Sequence, residues 1–426
     1  MGTHMGIDGT RVHEELVMAI RHSGRVVSRL ASATYRRVGA RGSALAAATA
    51  AAALVLSACG GSGAGGGNTA TGDIKLGISV PLSGAVGSSC SPMNQAMLAW
   101  FKHVNATGGI NGHQIKVDNR DDGYDAARSV TNTKAFIAEH VVAVTGQCGS
   151  LQPPAQLPLL NAAKIPFMYV FGASTSLLKP LSPMYFNLMP TYGSQLVDEI
   201  PWVFKAHGPG TVALMDTVTP DSPTTAKQVE AAVKAAGGTF VGDYKAPPGT
   251  ADFAPDVLKI KQKHPDYVVL DQIPQDAARF TQAMTDNGFA PNKFLVGSSA
   301  VSQQTFLNGV SSALQPKLLV SSDTIAPAGA GTTQCESVLK AANVKVEDVT
   351  LRGCGTAQVV EKVLRTAKQP ISSQGVVAAM ESMSGVKASE IYPPVSFSAT
   401  NHVGVSSLYV FGVKNGAFYQ VGSIGG

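Results

Sequence analysis

From Ile74 onward, short apolar runs alternate with longer stretches whose apolar residues recur every three to four positions. No other feature constrains the fold as much. Apolar runs of four to eight residues read as strands, and a 3.6-residue period reads as one face of a helix. Ile74–Val80 is such a run, ending in Pro81-Leu82-Ser83-Gly84. Met93, Ala96, Met97, Trp100, Phe101 and Val104 then fall on one helical face. Strands at 114–119, 141–144 and 165–171 and helices at 125–139 and 153–163 continue the pattern. It restarts with a helix at 195–206, followed by strands at 211–215, 239–244, 267–271 and 293–296 with helices between them. Strands separated by helices of this length predict parallel sheets covered on both faces. Two blocks of similar size predict two doubly wound α/β lobes, because a single core stops growing near about 250–300 residues. Past Leu318 the rhythm gives way to helices at 333–342, 356–368 and 373–383. A terminal hairpin follows, turning at Asn415-Gly416.

The segment before the alternation has a different character. Arg36, Arg37 and Arg41 precede an uncharged, alanine-rich run at 44–56, which ends in Leu56-Ser57-Ala58-Cys59. That ending resembles a bacterial lipobox, in which the cysteine is lipidated and everything before it is removed. The run is too short to span a bilayer, which takes about 20 residues, and fits the apolar region of a signal peptide. Residues 1–58 are therefore expected to be a signal peptide, with Met1 to Met5 read as an added leader. Residues 59–72, Cys59 followed by a Gly/Ser/Thr/Asn tract, read as a lipidated cysteine and flexible tether. This predicts a protein outside the cytoplasm, lipid-anchored to the outer face of the cytoplasmic membrane.

Charge excludes some functions. Of 33 basic and 28 acidic residues, seven arginines and three acids lie before Cys59, so the remainder is nearly neutral. Such a body offers no electrostatic footprint for nucleic acid. Cys90, Cys148, Cys335 and Cys354 form an even set in an exported chain, which suggests disulfides. None belongs to a Cys-x-x-Cys pair, and no metal or organic cofactor is implied.

In open parallel sheets, ligands bind beyond the carboxyl ends of the strands. That rule selects four loops, at 83–92, 147–153, 171–176 and 271–275. Cys90 and Cys148 fall in two of them, at one sheet edge, and are paired for that reason; Cys335–Cys354 is the local pair that remains. An anchored hydrolase is the competing class. No Gly-x-Ser-x-Gly elbow is present, and the nine histidines form no metalloprotease spacing. Asp121-Asp122 is an acid pair only in sequence, since adjacent strand residues face opposite ways.

With these residues in view, the chain resembles the type I periplasmic-binding-protein family, in particular the Leu/Ile/Val-binding branch of ABC-transporter solute receptors. The matching stretches are Gly77 to Gly84, Gly108-Gly109-Ile110-Asn111-Gly112-His113, Asp121 to Asp125, Val144-Thr145-Gly146 with Ser150, Ile165-Pro166, and Gly172-Ala173-Ser174-Thr175. The resemblance covers the chain from Asp73 onward. It implies two lobes joined by three crossovers and closing on a ligand, with an ABC permease as partner and a monomeric state. The first lobe would combine 73–188 with 324–392, and the second 189–323 with 393–426. Similarity to the family also implies that Ser150, Ala173 and Ser174, with Gln147 and Thr175 beside them, hold a ligand carboxylate, and that Tyr192 supplies an aromatic wall.

The second lobe departs from the pattern. Family members place an acid after the strand at 293–296 to pair with an α-ammonium group, whereas here the loop is Gly297-Ser298-Ser299-Ala300. Asp271-Gln272 offers one acid at another strand end, and Ser299 one hydroxyl. The expected ligand is accordingly a small polar or carboxylate-bearing molecule: an aromatic or other organic acid, or a branched-chain amino acid. A ligand-sensing ectodomain that signals through a partner is the remaining alternative.

Overall fold

Uninterrupted apolar runs are the signature of strands buried on both faces. Ile74–Val80 (β1) shows this directly: six of its seven residues are buried. The structure, a computed structural model, describes residues 68–70, 72–84, 86–172, 175–324 and 332–425. β1 lies inside a five-stranded, all-parallel sheet with Ile115–Asp121 (β2), Ala143–Thr145 (β3), Phe167–Met168 (β4) and Tyr185–Phe186 (β5), in the order β2-β1-β3-β4-β5.

A second sheet of seven strands contains Thr211–Thr217 (β6), Thr239–Ala246 (β7), Tyr267–Asp271 (β8), Phe294–Gly297 (β9), Leu318–Ser322 (β10), Leu408–Lys414 (β11) and Ala417–Ile424 (β12). Its order is β12-β11-β10-β9-β8-β6-β7, parallel except for the terminal hairpin, which pairs antiparallel with β10. Each sheet is the centre of one lobe and is covered on both faces by separate apolar clusters.

Helices pack where their apolar stripes dictate. Gly87–Ala106 (α1) buries Met93, Ala96, Met97, Trp100, Phe101 and Val104, the face seen in the sequence. Ala126–Ala138 (α2) and Pro153–Ala163 (α3) complete the first half. Tyr192–His207 (α4), Ser222–Ala235 (α5), Ala254–Lys261 (α6), Pro274–Asp286 (α7) and Gln304–Leu307 (α8) belong to the second lobe. Thr333–Ala341 (α9), Asp348–Thr366 (α10) and Ser373–Glu381 (α11) return to the first, where Leu339, Val360 and Met380 join its core. The structure links Cys90 to Cys148 and Cys335 to Cys354, with Cα separations of 5.8 and 5.9 Å.

Two expectations need correction. α10 begins at Asp348, two turns before the expected 356, and opens on a capping box in which Glu347 and Thr350 satisfy each other's backbone N–H groups. Gly353 and Gly355 hide this helix in the sequence, since each costs about 1 kcal/mol relative to alanine. They are there for packing: a Cβ at Gly353 would lie 2.2 Å from the Met93 carbonyl oxygen on α1. The second correction concerns 393–405, which the family resemblance places in the second lobe. Val395, Phe397 and Val405 bury in the first-lobe core, with Phe397 stacked on Tyr169. Each such side chain contributes roughly 1.5–3 kcal/mol by leaving water, so the chain crosses only between Val405 and Leu408.

The described residues place crossovers at 187–191 and 405–408, and the chain leaves the second lobe after Asp323 and is back in the first by Thr333. The first and last lie side by side, with the Gly404 N–H donating to Asn187 O at 2.8 Å and the Val405 N–H to Leu188 O at 2.8 Å.

Candidate functional site

The carboxyl ends of β6, β8 and β9 face the amino end of α1 and the loop after β3, and a cleft lies between them. Its empty space, the solvent at the mouth included, is about 910 Å³. The first-lobe wall is mostly apolar: Val86, Met93, Phe171 and the Cys90–Cys148 disulfide. Tyr192, at the start of α4, stands at the first crossover. The second-lobe wall is polar and includes Asp216, Asp221, Asp271, Gln272, Ser299 and Gln303.

The sequence candidates divide accordingly. Tyr192, Asp271, Gln272 and Ser299 line the cleft together. Gln147 does not; it is wholly buried behind the wall, where its Nε2 donates to Asp122 at 3.1 Å. Asp122 also accepts from Ser79 Oγ, Gln152 Nε2 and the Tyr124 backbone N–H. Four donors stabilise a buried carboxylate that would otherwise be costly, and they stiffen the loops that carry Cys148 and Gly149. Ser150 is half-buried and lies outside the lining. Thr175 bridges the lobes instead: its backbone N–H donates to Asp221 Oδ2 at 2.5 Å. Ala173, Ser174 and Cys59 lie outside the described residues.

A second bridge lies at the N-terminus of α7, where Gln275 Nε2 donates to Ser88 Oγ and Ser89 Oγ, both at 2.8 Å. These bonds join the two lobes across the cleft.

The acids were largely missed. Only one cleft carboxylate was expected, at Asp271. The parallel register of β6 with β8 sets Asp216 opposite Asp271, and Asp221 enters from the start of α5. Asp216 is 1% exposed. Burial, followed by repulsion from Asp271, holds its carboxyl well above the ordinary carboxylate range. Asp271 is raised too, by burial and then by Asp221. The expectation that the second lobe offers an ammonium group little to pair with is thus corrected: the ends of β8 and β6, one and two strands from β9 along the sheet, supply the carboxylates. Arg352 of α10, also unforeseen, lines the cleft but bonds to Asp323 at the second crossover.

Several buried polar atoms of this wall have no partner among the described residues: both amide atoms of Gln272, Ser299 Oγ, Gln303 Oε1 and Asp216 Oδ2. An unsatisfied buried group costs about 1–3 kcal/mol, so a cleft lined with them suits a polar ligand. No group of three or more possible metal ligands occurs among the described residues. Nor is any described helix long and apolar enough to cross a membrane.

Residues 73–417 match the periplasmic binding protein family. The chain belongs to that family. Curated relatives include the Leu/Ile/Val-binding protein homolog 8 of Brucella abortus (strain 2308), 23% identical over 250 residues. That match covers 57% of this chain, which spans 62% of the relative's length. Among solved structures, a branched chain amino acid ABC transporter from Thermus thermophilus with bound valine has a TM-score of 0.76 at 17% identity. It covers 83% of this chain and 97% of that one. A fatty acid ABC transporter substrate-binding protein from Thermomonospora curvata has a TM-score of 0.71 at 20% identity, covering 84% and 93%. These likenesses establish the two-lobed α/β fold of a type I periplasmic binding protein. They leave the ligand open, since structures of this one fold are named for cargoes as different as valine and a fatty acid. Membership of a periplasmic binding protein family implies an extracytoplasmic chain.

Proposed function

We propose that this periplasmic binding protein is the solute receptor of an ABC importer, held to the outer face of the cytoplasmic membrane by a lipid on Cys59. Its lobes close on a small polar molecule contacted by Tyr192, Asp271, Gln272 and Ser299. The observation that carries this reading is the row of unpartnered polar atoms on the second-lobe wall, buried between lobes already bridged by hydrogen bonds. An isolated core would not retain such atoms unpaired. A ligand that satisfies them on closure gains affinity from groups whose desolvation the fold has already borne.

A thermal-shift screen over amino acids, organic acids, amines, amides and polyols tests the reading, because a ligand that binds only the folded protein raises its Tm by mass action. The expected result is stabilisation by at least one solute class, with the solute recovered unchanged. A flat response to every class, or conversion of the solute, counts against a receptor. The anchor is checked separately: Cys59→Ser should move the protein from the membrane fraction to the soluble fraction.

A further inference from the structure

The cleft's charges do not balance. We infer that the site selects an organic cation, a protonated amine on an apolar body that carries no carboxylate, with the ammonium seated between Asp216 and Asp271. This rests on the cleft being a ligand site and adds the chemical class of the ligand.

The argument begins with the register. Asp216 and Asp271 are Cα partners on adjacent parallel strands, and both line the cleft. Two carboxylates set side by side, Asp216 buried and Asp271 half-buried, are stabilised only by a shared proton or a cation, and the neighbouring cationic side chains among the described residues are already engaged. Lys245, the register partner of Asp216 on β7, pairs with Asp243 at 2.8 Å. Arg352, facing the cleft from the first lobe, pairs with Asp323. Asp221 differs from the other two acids: it accepts backbone N–H groups from Thr175 and Ser176 across the cleft. Asp216 and Asp271 have only the Ser222 and Thr225 hydroxyls as donors, so the unmet demand for positive charge resides on this pair.

A second observation is independent of charge. Gln272, adjoining Asp271 in the chain, is 2% exposed, lines the same cleft, and leaves both amide atoms unpartnered. Its Oε1 is an acceptor suited to an ammonium N–H, as are Asp216 Oδ2 and Gln303 Oε1, which are also unpartnered. The opposite wall decides the rest of the ligand. Val86, Met93, Phe171 and the disulfide suit an apolar body, and the described residues there offer no uncommitted cation for a carboxylate. A zwitterion would bring a second negative charge into a cleft that already has an excess of them.

A matched series separates these classes: isoamylamine, leucine and isocaproate share a branched apolar body and carry an amine, both groups, or an acid. Phenethylamine and cadaverine extend the amine arm. Binding of the full chain is measured by calorimetry. The expected result is that at least one amine binds at least about tenfold more tightly than leucine, about 1.4 kcal/mol by the relation of affinity to free energy, and that isocaproate does not bind. Asp216→Asn and Asp271→Asn should each weaken the amine about tenfold or more while the variants keep a cooperative unfolding transition. Tighter binding of leucine or isocaproate than of any amine overturns the cationic class and leaves the receptor reading intact. Silence of all amines also overturns it, and the broad solute screen then decides whether the cleft is a receptor site at all. If both Asn variants bind the amine as the parent does, the seat is misplaced and the inference fails.

Discussion

Arg352 is 7% exposed and Asp323 1%, so their ion pair sits at the second crossover almost without water. Breaking a buried pair strands the remaining charge, at a cost of about 3–5 kcal/mol. Arg352→Ala should lower stability by that amount in urea unfolding, and an unchanged midpoint would show that Asp323 finds another partner. The cleft acids make an opposite, pH-dependent prediction. Asp216 and Asp271 have raised pKa values when folded and ordinary ones, about 4, when unfolded. The folded state therefore binds more protons than the unfolded state between those limits. The ligand-free protein is most stable at mildly acidic pH and loses stability as pH rises through the folded values. Asp271→Asn should flatten the Tm profile between about pH 5 and about pH 8 and exceed the parent at the upper end. A parallel pair of profiles would contradict this. Little of this was legible in the sequence. Asp271 stood out at a strand end, but Asp216 sits inside the apolar strand Thr211–Thr217 and acquires its meaning only from strand register. The setting of Gln147 is hidden in the sequence for a related reason: its partner, Asp122, comes from a different strand end.

At the scale of elements, most strands and helices were readable because burial on both faces leaves uninterrupted apolar runs and a 3.6-residue stripe. α10 is the exception, and its glycines explain why. Gly353→Ala would gain about 1 kcal/mol of helix propensity in isolation. Here the added Cβ meets the Met93 carbonyl of α1, a backbone atom that cannot move aside. The expected net effect is destabilisation by about 1–3 kcal/mol, the usual cost of overpacking, read from the urea midpoint. A more stable variant would mean the two helices can separate freely. Local propensity argues against a helix there, and only the neighbouring helix reveals why one forms.

For the molecule as a whole, the doubly wound lobes and three crossovers followed from the alternation and the family resemblance, but the last crossing did not. Residues 393–405 lack a strong period, and their place in the first lobe depends on Val395, Phe397 and Val405 finding that core. Closure depends on a few cross-lobe contacts. Gln275→Ala removes the bonds to Ser88 and Ser89 and should cost closure about 1 kcal/mol. Ligand affinity should fall roughly fivefold. The ligand-free radius of gyration in small-angle scattering should rise, with no change in unfolding midpoint. Unaltered affinity and size would show that these bonds do not hold the lobes together.

Cys90 and Cys148 form part of the cleft's inner surface, and that gives the binding site a birth date. In a reducing compartment the two residues are separate thiols, so this part of the cleft wall is complete only once the chain is oxidised. Reducing the Cys90–Cys148 bond would therefore change the wall of the cleft itself as well as the stability of the fold.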